Sequence, residues 1–226
     1  MKATLWMFAL SACVAGCQFV YSIQFSIGVP LFQSQLHLPA AITGLIMATT
    51  GPISGLLIQP LVGVLSDNCQ SKFGRRRPFI ISGCLFCSMG MLLVMHAIYL
   101  GQLFGDTSMS IPDPSWRDNR LAIVFSLVGF WIMNLAANWP FCPARALVND
   151  LVPLESTPQA NCIVTASQAA ASIVANLLGA QLFLTPDPYT LLFGIGSILV
   201  VVLMIPTLFI GKEQPYIPAI SPSKSN

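Results

Sequence analysis

The sequence predicts an all-α membrane protein with six transmembrane helices, and three observations carry that reading. Only 8% of the 226 residues are charged while 55% are hydrophobic, against about 25% charged in an ordinary soluble domain. So few charges could not cover a water-exposed surface, so the apolar side chains must face lipid. Six apolar segments, residues 4–29, 42–65, 79–100, 121–147, 162–184 and 190–210, are long enough to span, the requirement being about 20 residues. The stretch SDNCQSKFGRRRP (66–78), between the second and third segments, holds four of the ten basic residues. Lys and Arg resist translocation, so such a cluster marks the cytoplasmic side.

Orientation follows from that cluster. With the N-terminus inside, Lys2, Lys72, Arg75, Arg76, Arg77, Arg145, Lys212 and Lys224 fall on the cytoplasmic side, and only Arg117 and Arg120 lie outside. The outer loop 101–120 also holds Asp106, Asp113 and Asp118. Both termini are therefore expected in the cytoplasm. The net charge of +2 comes mainly from one loop and gives no case for nucleic-acid binding.

Lys2 and the run after it resemble a secretory signal, and Val14-Ala15-Gly16-Cys17 resembles a bacterial lipoprotein cleavage site. The apolar run continues to Val29, too long for a signal core, and reads as the first span. Within it Gln18, Tyr21, Ser22 and Gln24 lie within two turns, and Gln18 and Ser22 share a face. Two amides and a phenol suit a neutral polyhydroxylated ligand; the competing reading is hydrogen bonding between helices, worth roughly 0.6 kcal/mol per bond.

In the second span Gly51, Gly55, Gln59 and Gly63 recur every four residues, a small-residue pattern that suits close helix packing. The third span carries Cys84 and Cys87, which read as two small apolar residues because no second pair or histidine completes a zinc set. His37 and His96 read as residues of the outer loop and outer interface.

The fourth span is the most informative. Asn134, Asn138, Phe141 and Arg145 form a stripe down one face, with Asn134 and Arg145 about 16 Å apart along the axis. Pro140 and Pro143 interrupt the backbone ladder between them and predict a kink. Asp150 falls about 160° round from Asn134 on an ideal helix, away from the same cavity. In the fifth span Gln168, Ser172 and Asn176 recur among alanines, which suits packing, with Gln168 and Asn176 as secondary candidates to line a path. The sixth span is apolar and ends at the polar tail 212–226, so residues 1–211 read as one six-span unit.

Catalysis needs a positioned nucleophile or general base. The spans offer no buried carboxylate, no Ser–His arrangement, no metal-ligand set and no phosphate loop, so neither an enzyme nor a cofactor is expected.

The block GPISGLLIQPLVGVLSDNCQSKFGRRRPFI (51–80) resembles the second span, cytoplasmic loop and third-span start of plant-type sucrose–proton symporters. These form part of the glycoside–pentoside–hexuronide branch of the major facilitator superfamily. The resemblance extends to Gln18-Phe19, Gln24, Ser26 and Pro30, and through Gly129-Phe130-Trp131, Asn138 and Arg145-Ala146-Leu147 to Asp150-Leu151. It implies one six-helix half of a transporter that works by alternating access. A sugar such as sucrose would meet Gln18, Tyr21, Gln24, Asn134, Asn138 and Arg145. Gly63, Asp67, Arg75, Arg76, Arg77 and Asp150 would form the cytoplasmic gate. The partners implied are the bilayer, protons, and a second transporter half or a second copy of the chain, and the plasma membrane is favoured over an endomembrane. The tail would begin a central loop.

The chain also departs from those symporters. Asn134 stands where they carry an aspartate thought to take the coupling proton, and an amide cannot titrate. Their outer-loop histidine has no counterpart, and Tyr21 replaces a first-span tryptophan. A non-transporting membrane protein (a sensor, a regulatory partner or a truncated remnant) is the alternative.

Overall fold

Proline and hydrogen-bonding side chains set most of the helix boundaries. The computed structural model describes residues 2–71, 73–106, 115–182, 184–185 and 187–211. Lys72, Asp113, Lys212, Lys224, the Lys2 side chain and the tail 212–226 lie outside what it describes. Among the described residues eight α-helices run in order: α1 (Lys2–Pro30), α2 (Ala40–Asp67), α3 (Arg77–Met95), α4 (Ala97–Leu103), α5 (Arg120–Asn138), α6 (Phe141–Leu151), α7 (Thr157–Leu182) and α8 (Pro188–Ile210). They supply six stretches long and apolar enough to cross a membrane, as expected.

Helix α1 runs past Pro30 into a π-helical turn, Leu31–Gln35. Pro39 then starts α2, its carbonyl accepting from the Ile42 and Thr43 amides. Pro78 and Pro188 each occupy the first turn of a helix, where a missing N–H costs nothing. Asp187 caps α8 by accepting from the Thr190 amide at 3.2 Å. The α5 start is held from afar: Asp106 accepts from the amides of Leu121 (3.1 Å) and Ala122 (2.7 Å).

Two spans are broken. The fourth divides at Trp139–Pro140 into α5 and α6, where the prolines predict a kink. The third, expected to run unbroken over 79–100, parts at His96 into α3 and α4. There the imidazole Nδ1 bonds the Leu92 carbonyl at 2.9 Å, a side-chain bond that competes with the helical ladder. Helix α7 begins at Thr157, ahead of the apolar run at Cys162, because Thr157 bonds back to Pro153 and Pro158 fits a first turn.

Helix α1 is the most enclosed span, packed along α7 and α8. Helix α3 lies against α5 and α8. Phe19 and Ile23 of α1, Phe32 of the π-helical turn, Met91 of α3, Phe130 and Met133 of α5 and Phe193 of α8 fill the interior. Lipid is as apolar as these side chains, so close contact rather than expulsion of water holds the bundle together. Backbones approach closely between α3 and α5, where a Cβ on Gly90 would lie 2.6 Å from the Met133 amide nitrogen, and between α4 and α5, where one on Gly101 would lie 2.6 Å from the Ala122 amide nitrogen. The outward faces stay greasy: Leu56 is 76% exposed and Phe209 75%.

The small-residue row of α2 does not act as one packing stripe. Gly51 abuts Tyr21 and Phe25 of α1, Gly63 abuts Cys142 of α6, but a Cβ on Gly55 would meet nothing within 4 Å. Helix α2 is the least enclosed of the six spans.

Candidate functional site

A cleft of about 590 Å³ opens on one side of the bundle, walled by α1, α2, α6, α7 and the end of α5. Gln18 and Tyr21 enter it from α1, Gln59 from α2, Asn138 from α5, Arg145 from α6 and Gln168 from α7. The Gln59 amide donates to Asn138 Oδ1 at 2.8 Å, and Asn138 Nδ2 donates to Ser54 Oγ at 2.9 Å. Arg145 Nη2 donates to Gln168 Oε1 at 2.5 Å. The wall thus carries amides, a phenol and one permanent positive charge, and no carboxylate among the described residues that line it.

Two of the expected site residues lie elsewhere. Asn134 is fully buried one turn from Asn138, with its Oδ1 accepting from Ser54 and its Nδ2 without a partner among the described residues. Gln24 is also fully buried, and neither end of its amide has a partner there. It sits one turn from Gly28, the α1 position against which the Phe130 ring packs. Gln24 is six residues from Gln18, about 240° round the helix, so closeness in sequence did not put them on one face. Ser22 turns to α7, with Ser22 and Ser172 hydroxyls 2.5 Å apart; Ser26 donates to Asn176 Oδ1, and Ser11 meets Ser167 at 3.0 Å. These pairs zip α1 to α7.

Gln59 was read as part of a packing row and is instead a cleft residue. The signal available was an amide among glycines in an apolar span, since burying an unpaired amide in lipid is costly. Gln168, a secondary candidate, lies in the cleft as well.

The basic loop gathers at one end of the helices. Arg76 is buried and bonds two carboxylates, Asp67 at 2.9 Å and Asp150 at 2.7 Å. Arg75 reaches the same Asp150 oxygen at 3.1 Å. The end of α2, the loop and the end of α6 are thereby tied through one cluster. Arg77 has a different acceptor, the Gly211 carbonyl at the end of α8, at 2.9 Å and 2.5 Å. A helix C-terminus carries partial negative charge and favours such a cation.

Fold and site together define a multi-pass helical membrane protein with a polar cleft let into its bundle and an ionic clamp at one end. Residues 10–226 match the Major Facilitator Superfamily, and the chain belongs to that family. It is similar to the sucrose transport protein SUT4 of Oryza sativa subsp. indica, 39% identical over 167 residues, covering 74% of this chain and 28% of that protein. It is similar also to SUC4 of Arabidopsis thaliana, 41% identical over 150 residues and covering 66% of this chain and 27% of that protein. The sucrose transport protein SUC3 of Arabidopsis thaliana is 36% identical over 167 residues, 74% of this chain and 28% of the relative. The chain therefore spans less than a third of the length of these relatives.

Proposed function

We propose that this chain forms one six-helix half of a sugar transporter, binding sucrose or a related neutral glycoside in the cleft and passing it by alternating access. The observation that carries this reading is the cleft itself, open on one side and lined by Gln18, Tyr21, Gln59, Asn138, Arg145 and Gln168. Amides and a guanidinium offer both donors and acceptors to hydroxyl groups, and the Tyr21 ring offers an apolar face to a pyranose. The family membership and the similarity to plant sucrose transport proteins support the substrate class.

The open side of the cleft suits a second transporter half or a second copy of this chain, with both termini in the cytoplasm and the plasma membrane as the site of action. In this reading Gly63, Asp67, Arg75, Arg76, Arg77 and Asp150 hold the inner ends of the helices together while the cleft faces outward. Cation coupling comes with the resemblance; since Asn134 is an amide, a coupling proton takes another residue.

The test is uptake of labelled sucrose into proteoliposomes containing this chain. Asn138→Leu should abolish uptake, because it removes a ligand-facing amide together with its bonds to Gln59 and Ser54. Leu56→Ala, on the lipid face, should leave uptake unchanged. No uptake by well-folded protein would remove the idea that this half works alone, and equal uptake by Asn138→Leu would remove the cleft.

A further inference from the structure

Away from the cleft, three thiols meet inside the bundle. Cys13 and Cys17 stand one turn apart on α1 and so share a face, and Cys84 approaches them from α3. Their sulfurs lie within 4.8 Å of one another, the Cys13 and Cys84 sulfurs at 3.6 Å, and all three residues are fully buried. A metal bound at about 2.3 Å by three sulfurs in a plane requires sulfurs about 4.0 Å apart. The observed spacing brackets that figure without movement of the backbone.

The geometry points to a three-sulfur site, formed by Cys13, Cys17 and Cys84, for one soft monovalent cation such as Cu(I). Soft sulfur ligands favour Cu(I), whereas a structural zinc ion demands four ligands. The next cysteine, Cys87, is directed at the Met133 carbonyl, 3.9 Å away, which leaves the set at three. Each thiol releases its proton to water as it binds, because a metal-bound thiol is deprotonated, and the cation offsets part of the thiolate charge. An ion here would pin α1 to α3 next to Gln18, fixing the helix that presents Gln18 and Tyr21 to the cleft. The proposal stands independently of which sugar, if any, the cleft takes.

The experiment uses the full chain, purified in detergent under reducing conditions, with Ag(I) as the air-stable probe. Cys69, Cys142 and Cys162, the less buried thiols, are replaced by serine so that they do not compete. After desalting, one silver per chain should remain, with three sulfur neighbours by X-ray absorption and a raised melting temperature. Cys13→Ala, Cys17→Ala and Cys84→Ala should each lower retention at least tenfold, and Cys87→Ala should not. A folded, monodisperse chain that retains no silver overturns the proposal, as does retention indifferent to Cys84→Ala. Should an alanine variant misfold, the absorption spectrum of the chain with all three cysteines decides: fewer than three sulfur neighbours overturns it.

Discussion

Asp150 illustrates what one side chain holds together here. It accepts from both Arg75 and Arg76, while among the described residues Asp67 accepts from Arg76. Both carboxylates are partly exposed, at 37% and 57%, so solvent screening limits each contact to about 1 kcal/mol. Asp150→Asn should therefore lower stability by about that amount, and Asp67→Asn by less. Denaturation of the solubilised chain at low and high salt checks the order, and both differences should shrink as salt screens the pairs. The reverse order would mean that Asp67, not Asp150, anchors the cluster. At this same scale, spacing along the helix accounts for only part of the placement. Asn138 and Arg145 reach the cleft together with Phe141, because residues spaced by about one or two turns keep a common direction. Asn134 shares that direction, but Ser54 of α2 covers it. Spacing along one helix gives the angle of a side chain and says nothing of which neighbouring helix lies over it.

Among the elements, the contact of α3 with α5 is close and should be unforgiving. Gly90→Ala drives a methyl into the Met133 backbone, and overpacking of this kind costs typically 1–3 kcal/mol. Gly55→Ala places the same methyl in open space and should leave the melting temperature unchanged. Thermal melts of the two variants in detergent check the pair, and equal effects would sink the packing argument. The glycine row of α2 looked like the packing helix from sequence, yet close backbone approaches are made by Gly90, Gly101 and Gly129. The recurrence of small residues marks where a helix can be approached, and a partner must still arrive. The kink between α5 and α6 was legible because proline removes a donor wherever it stands. The break at His96 was not, since a histidine ring bonds its own helix only in some settings.

For the whole molecule, the basic loop and the spans together make a topology that can be tested directly. With six crossings, Cys69 and Arg145 are expected on the same side as both termini, and the loop before α5 on the other. In sealed right-side-out vesicles a membrane-impermeant maleimide should leave Cys69 unmodified, and a cysteine placed at Trp116 should react at once. Labelling of Cys69 from outside would reverse the assigned orientation. The six-helix count and the side assignment rest on hydrophobicity and charge, which are properties of segments and need no knowledge of contacts.

Lipid made the fold class readable from the chain alone: a stretch of apolar residues has few options in a bilayer but to become a helix with its backbone satisfied internally. The basic loop and the prolines that break the fourth span were likewise visible in the letters. Which polar groups share a cleft was decided only when the helices packed. Rotation and depth against neighbours put Gln59 and Gln168 beside Asn138 and Arg145, buried Gln24 and Asn134, and gave Asp150 to two arginines. Those choices depend on side chains meeting across hundreds of possible pairings, and no single helix carries that information.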